Sequence, residues 1–367
     1  MELINTIQDL IKFRTETGNE FEINKAAAYI SDLFKNTAAR VEIFRSDASP
    51  VIFISNTESY SFDALVIGHI DVVPATDEMF SPKIENNKMF GRGTLDMKSF
   101  AAVALHSMLY VLQNNLNIRF GIILSTDEEK GSRSTHSFMN AFPQITASVV
   151  LDNDVGGDIT KIVTKCKNPV FVKLVSTGKE AHGSTPWEGV DANEILWQTW
   201  ENIRQIYPYY SKGGKKPHNT WIDTVHMATI NGGQVSNVIS NHAEALLDFR
   251  LTEKSTVDHL IENLKKCMVN GVTFHIVSQS IPVVMDENNP DITAYKQLAE
   301  KILNEPIEYE YIGGATDSRV FAVKGSVVIM HSGSGDGMHA SNEFVDLTSV
   351  QQLAEIQIEF LKYLAQK

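Results

Sequence analysis

The stretch Leu124–Gly131, LSTDEEKG, decides the fold. Ile122, Ile123 and Leu124 read as a buried strand, and just past Thr126 the chain delivers three consecutive acids, Asp127, Glu128 and Glu129. Adjacent carboxylates repel one another, and a buried strand end is costly for them unless a cation compensates. An isolated DEE would read as a solvated turn. Here other apolar runs end in the same way. ALVIGHI (64–70) leads into His69-Ile70-Asp71, ASVVL (147–151) into Asp152-Asn153-Asp154, and SVVIM (326–330) into a glycine-rich loop carrying His331 and His339.

Between these runs lie helix-like segments. GRGTLDMK (91–98) opens a helix whose buried stripe is Phe100, Val103, Ala104, Met108, Val111 and Leu112, with His106 read as packing or surface. Strand alternating with helix predicts an α/β fold, a mostly parallel sheet with helices on both faces. In such sheets the site forms outside the carboxyl ends of the strands. The pattern therefore gathers His69, Asp96, Glu129, Asp152 and His339 in one crevice, with Asp154 as the alternative to Asp152. Two histidines and three carboxylates suit zinc, with manganese or cobalt as substitutes. Five ligands exceed one zinc site, but with one carboxylate shared they make two. In an extended segment His69 and Asp71 face one side, so Asp71 can orient the imidazole.

Residues 170–178, 190–207, 221–231, 243–252, 255–268 and 271–278 read as βαββαβ, the ferredoxin-like arrangement. The first pattern resumes after them, so this is an insertion. The boundaries are 1–168 and 281–367 for the catalytic domain and 169–280 for the inserted one. Within it, KGGKK (212–216) reads as a solvated loop. Residues 41–55 and 62–70 read as strands, and 2–36 as two helices.

A net charge of −13 without a basic run argues against nucleic-acid or anionic-membrane partners. No apolar stretch reaches the length of a membrane span, and MELINTIQDL does not read as a signal peptide. Two cysteines, Cys166 and Cys267, are too few for a disulfide framework. A cytoplasmic enzyme is the expectation. A serine hydrolase is disfavoured because no G-x-S-x-G occurs.

Six ordered motifs, GHIDVVP, GRGTLDMK, STDEEKG, GKEAHGSTP, GGATDSRVF and MHASNEF, carry a resemblance over nearly the whole chain. The sequence resembles the metal-dependent amidohydrolases related to acetylornithine deacetylase and succinyl-diaminopimelate desuccinylase. Aminoacylase, carboxypeptidase G, peptidase T and the carnosinases belong there too. The resemblance implies a zinc exopeptidase-like fold with an inserted lid and dimerisation domain, and a homodimer. His69, Asp96 and Asp152 would hold one metal, and Asp96, Glu129 and His339 a second. Glu128 would be the general base and Asp71 the partner of His69. His182 and Asn237 would be lid residues reaching the substrate on closure, His182 into the partner subunit's site. Arg250 and Gly314 would contact substrate.

What the resemblance implies is therefore a dinuclear zinc hydrolase cleaving the amide bond of an N-acyl amino acid. A dipeptidase or aminopeptidase on short peptides is the alternative, and a catalytically inactive binding protein the remote one. Three departures bear on substrate. Asp152-Asn153 stands where the deacylases have Glu-Pro, and Asp is associated with the peptidase T and dipeptidase members. CKNPV replaces the basic Gly-Arg-Arg-Gly stretch. Ala315 takes the place of a threonine in GGATD.

Overall fold

The computed structural model describes residues 2–45, 49–207 and 221–367, and the KGGKK stretch (212–216) lies outside them. The chain divides into two compact units. One comprises Met1–Thr164, Met285–Glu310 and Thr316–Lys367, the other Lys165–Val284 and Tyr311–Ala315.

The first unit is built on a mixed sheet. Its strands run in the order Arg40–Phe44, Val51–Ser55, Phe120–Ser125, Ser61–His69, Thr146–Asp152, Val327–Met330 and Lys161–Cys166. The four from Phe120–Ser125 to Val327–Met330 are parallel to one another. Antiparallel strands flank them on both sides, so the mostly parallel character belongs to the centre. The expected strand 41–55 is two strands, Arg40–Phe44 and Val51–Ser55, paired antiparallel.

Alternate residues of these strands serve opposite faces, as a pleated strand buried on both sides requires. Ile52, Ile54, Val66, Ile122 and Leu124 pack with the helices Leu3–Lys12, Lys98–Gln113 and Leu347–Ala365. On the opposite side Phe53 meets Phe62 and Phe138 edge to face or tilted, at centroid separations of 6.0 and 5.7 Å. Phe138 comes from the helix Arg133–Ala141. The helix Lys98–Gln113 is buried around most of its circumference rather than along one stripe, because it lies under both sheet and helices. His106 stays partly exposed on it.

Parallel strands all end at one edge, and close packing fixes how the chain leaves them. Gly68 leaves room for the Met97 thioether, and a methyl group there would collide with it. Such overpacking costs about 1–3 kcal/mol. Gly93 turns the 91–97 loop at φ +86°, in the left-handed region that favours glycine.

The second unit is a four-stranded antiparallel sheet in the order Thr224–Gly232, His242–Leu251, Asn168–Thr177, Val272–Gln279. Taken in chain order this is 2-3-1-4, the ferredoxin-like arrangement. Val170, Val172 and Leu174 alternate inward with Ala245, Leu247 and Phe249. They pack with Leu196, Trp200 and Ile203 of one helix and Leu260 and Leu264 of the other. The other face is polar, with a Lys173–Glu244 ion pair at 2.6 Å. Tyr311–Ala315, which the sequence reading left in the catalytic domain, joins this unit. Lys167 donates to the Ile312 carbonyl at 3.3 Å, and the Trp221 and Tyr311 rings lie 5.3 Å apart.

Candidate metal centre

The parallel strand ends and the 91–97 loop bring together two trios of donor atoms, each within 4.8 Å: His69, Asp96 and Asp154, and Asp96, Glu129 and His339. Asp96 is common to both. Its Oδ1 lies 3.1 Å from His69 Nε2, and its Oδ2 lies 2.9 Å from His339 Nε2. Glu129 Oε2 stands 3.2 Å from His339 Nε2, and Asp154 Oδ2 lies 3.7 Å from His69 Nε2.

Each residue arrives by a local rule. His69 is the last residue of the central strand Ser61–His69 and is fully buried. Asp96 sits in the glycine-turned loop before the helix Lys98–Gln113 and is joined to Met97 by a cis peptide bond. Past Ser125 the chain makes a short 3-10 turn, Glu128–Lys130. The turn replaces the extended geometry that would have sent Glu128 and Glu129 to opposite sides. His339 adopts a left-handed backbone, φ 62°, in the loop before Phe344–Asp346. Histidine visits that region more readily than most residues.

The sequence reading put Asp152 in the cluster, with Asp154 as its alternative, and the structure exchanges them. Asp152 still belongs to its strand, where its backbone pairs with Ile67 on one side and Met330 on the other. Its side chain faces the Ser318 and Thr316 hydroxyls, and its Oδ1 accepts the Asp154 N–H at 2.9 Å. Asp154, two residues past the last strand position, is free to turn toward His69. Asp152 Oδ2 is buried without a hydrogen-bond partner.

Asp71 has a wider role than its spacing from His69 suggests. His69 Nδ1 lies 3.0 Å from the Asp71 carbonyl oxygen and 3.4 Å from its carboxylate. The carboxylate accepts the backbone N–H groups of Glu128 at 3.1 Å and Glu129 at 3.3 Å, and the Thr17 hydroxyl at 2.7 Å. It thus anchors both the imidazole and the acidic turn. Thr17 has no pattern in the sequence that would have flagged it.

The electrostatics are those of a site short of positive charge. Burial pushes the Asp96 carboxyl up, but His339 and His69 outweigh it and hold it well below the usual carboxylate range. Burial raises Asp154, and the charges of Asp96, Glu128 and Asp152 add to the rise. Burial and the charge of Asp96 raise Glu129. Burial pushes Glu128 up to about 8; the charges of Asp317, Asp71 and Glu129 add to the rise, and His69 opposes it. Three carboxylates crowded around two imidazoles, one carboxylate presenting an oxygen to each trio, match the nitrogen and oxygen donors of divalent cation sites. The residues present fit a pair of cations. His106 and His331 belong to neither trio; His331 is fully buried between Tyr295 and the Ile159 carbonyl.

In the inserted unit, His182 and Asn237 lie on facing segments. Gly183 donates to the Asn237 carbonyl at 2.8 Å, and His182 forms a bridge with Val238. Both side chains are exposed, and His182 Nδ1 lies 2.7 Å from the Ser184 hydroxyl. Arg250 is engaged in a two-pronged pair with Asp248, at 2.8 and 3.0 Å. Gly314 is exposed in the Tyr311–Ala315 segment.

Comparison with known proteins agrees with this architecture. Residues 65–363 match the model of Peptidase family M20/M25/M40. A succinyl-diaminopimelate desuccinylase of Rickettsia felis is 25% identical over 98% of this chain and 98% of its own length. The crystal structure of an M20 family metallo-carboxypeptidase from Sulfolobus solfataricus superposes with a TM-score of 0.81 at 19% identity, covering 100% of both chains. A dinuclear metal binding peptidase of the M20 family from Bacillus subtilis gives 0.73 at 14% identity, over 99% of this chain and 98% of its own. At these identities the solved structures speak for the fold, and the family match for the chemistry. The chain belongs to peptidase family M20/M25/M40 and is a metal-dependent hydrolase.

Proposed function

We propose that this hydrolase uses two divalent cations to cleave the amide bond of an N-acyl amino acid, as the acetylornithine deacetylase and succinyl-diaminopimelate desuccinylase members do. The observation that carries the reading is Asp96, whose two carboxylate oxygens each face a different histidine. His69, Asp96 and Asp154 would hold one cation, and Asp96, Glu129 and His339 the other. Zinc suits these donors best, with cobalt or manganese as substitutes, and such a pair supplies Lewis acidity and a water that ionises near neutral pH.

The protein's own part is proton handling and orientation. Glu128, raised by burial into the neutral range, is matched to a general base. It takes a proton from the attacking water and returns it to the departing amine nitrogen. Asp71 fixes the Glu128 backbone and the His69 ring, so base and ligand keep their places without rearrangement. His182, Asn237, Arg250 and Gly314 are read as substrate contacts. A substrate carboxylate at Arg250 would compete with Asp248 for its guanidinium fork. A homodimer in the cytoplasm completes the reading. Among the described residues no helix is long and apolar enough to cross a membrane.

One observation favours a second reading, a peptidase on unblocked dipeptides or tripeptides. The fifth donor is an aspartate, Asp154, and not a glutamate, and aspartate is what the resemblance associates with the peptidase T and dipeptidase members. A paired panel separates the two. Zinc- or cobalt-loaded protein is offered N-acetyl and N-succinyl amino acids in one arm and unblocked dipeptides and tripeptides in the other. Turnover confined to the blocked arm is expected. Turnover confined to the unblocked arm makes the protein a peptidase, and silence in both overturns each reading.

A further inference from the structure

The proposed reaction does not use every buried carboxylate near the cluster. Glu343 is 1% exposed and directly precedes the short strand Phe344–Asp346. Its two oxygens meet donors from the loop that carries Asp96. Oε1 accepts the backbone N–H of Leu95 at 2.8 Å and that of Asp96 at 3.2 Å. Oε2 accepts the Gly93 N–H at 3.1 Å and the Arg92 guanidinium. Arg92, itself 3% exposed, donates from its other terminal nitrogen to the carbonyl of Ala340 at 3.3 Å. Ala340 follows His339.

An ionised carboxylate accepts about four hydrogen bonds and donates none, so this set of donors uses it fully. A charge this deep is tolerated only when paired and bonded, and Arg92 supplies the pairing. Because Arg92 balances it, Glu343 adds no net charge to the neighbouring cluster. Both its oxygens are turned to backbone and guanidinium, so it is not itself a donor to the trios. Its bonds instead run to the N–H of the aspartate shared by both trios and, through Arg92, to the loop holding His339 in its left-handed conformation.

We propose that Glu343 is a positioning residue of the metal centre: with Arg92 it locks the 92–96 loop to the His339 loop, so that Asp96 and His339 meet in the arrangement that completes both trios. The inference rests on the two-cation reading above. Glutamine has the shape of glutamate, but its amide NH2 must face backbone N–H groups or the guanidinium, so at least one pair of bonds is lost.

The test is a cobalt(II) titration of the chelator-treated, full-length protein, followed by visible absorption and calorimetry. Glu343→Gln should bind cobalt about 10–100-fold more weakly, the usual effect of losing a partner behind a ligand. Its visible band should shift, and kcat should fall with KM unchanged. A residue serving the fold alone would lower the melting temperature and leave cobalt affinity and spectrum of the folded protein as in the wild type. That result overturns the proposal. Should Glu343→Gln not fold, Arg92→Lys answers the same question, because it keeps the three backbone bonds to Glu343 and loosens the His339 side. Wild-type affinity and spectrum in Arg92→Lys would equally overturn it. A wild-type protein that binds no cobalt sinks the two-cation reading itself, whereas a wild type that binds two and variants that match it sink this proposal alone.

Discussion

The two halves of the cluster share Asp96 but are built from opposite materials. The inner half ends a central parallel strand: His69 is fully buried, and its other ring nitrogen is held by Asp71. The outer half is closed by a loop, and the His339 side chain is 50% exposed. A ligand on a rigid, buried strand end is placed before any cation arrives, so little ordering entropy is lost on binding. A ligand on an exposed loop has to be held by its neighbours. The difference predicts one tight site and one that exchanges more readily, with the shared aspartate coupling them.

The largest expected effect falls on neither half. Glu128→Gln keeps the size and hydrogen-bonding reach of the side chain and removes the proposed base. Turnover should drop by about 10²–10⁴-fold, the usual contribution of general acid–base catalysis. Both cations should still bind, because Glu128 belongs to neither trio. Activity within a fewfold of wild type would move the base elsewhere. Loss of a cation would make Glu128 a ligand and break the division into two halves.

How much of this was legible beforehand follows the same division. The strand ends announced themselves, because an apolar run closing on His or acidic residues is a local pattern. His69, Asp96, Glu129 and His339 were named from it, and they converge. The sequence did not show which residue of Asp152-Asn153-Asp154 turns inward. That depends on where the strand stops, and pairing to Ile67 and Met330 carries it one residue further than its apolar run. Glu343 was invisible for another reason. Apart from Arg92, its partners are backbone N–H groups in a loop about 250 positions away, and no side-chain pattern encodes them. The grouping of Tyr311–Ala315 with the inserted unit is hidden on similar grounds, since it rests on Ile312 and Tyr311 meeting residues far off in sequence.

The next effect in size tests the inner half directly. Asp154→Asn should remove a charged donor from the His69 trio and weaken the inner cation by at least about a hundredfold, more than the loss of a supporting partner. Asp152→Asn should cost at most about tenfold, since Asp152 belongs to neither trio and acts on the site from behind, through the Asp154 N–H and through its charge on Asp154. Equilibrium dialysis with zinc and metal analysis gives the stoichiometry of each variant. Two cations in Asp154→Asn and one in Asp152→Asn would restore the assignment read from sequence.

The smallest effect concerns what stands behind the inner half. The Asp152 carbonyl accepts the His331 N–H at 2.9 Å, and the His331 ring is fully buried. Its Nε2 lies 2.8 Å from the Ile159 carbonyl and so carries the proton, leaving Nδ1 to accept the Tyr295 hydroxyl at 3.0 Å. Burial pushes this imidazole down to about 4, from an ordinary value of 6.5. Between those values the unfolded chain binds a proton that the folded one refuses, so stability rises with pH across that window. The contribution is fully present above about pH 6.5 and drains away as the pH falls toward 4. At pH 5 the loss is on the order of 2 kcal/mol. Urea midpoints at pH 7 and pH 5 measure it. In His331→Gln, which cannot ionise, the difference between the two midpoints should shrink by that amount. The variant will be less stable at both pH values, so only the difference counts. An undiminished difference would place the acid sensitivity elsewhere, with the carboxylates of the cluster the next groups to test.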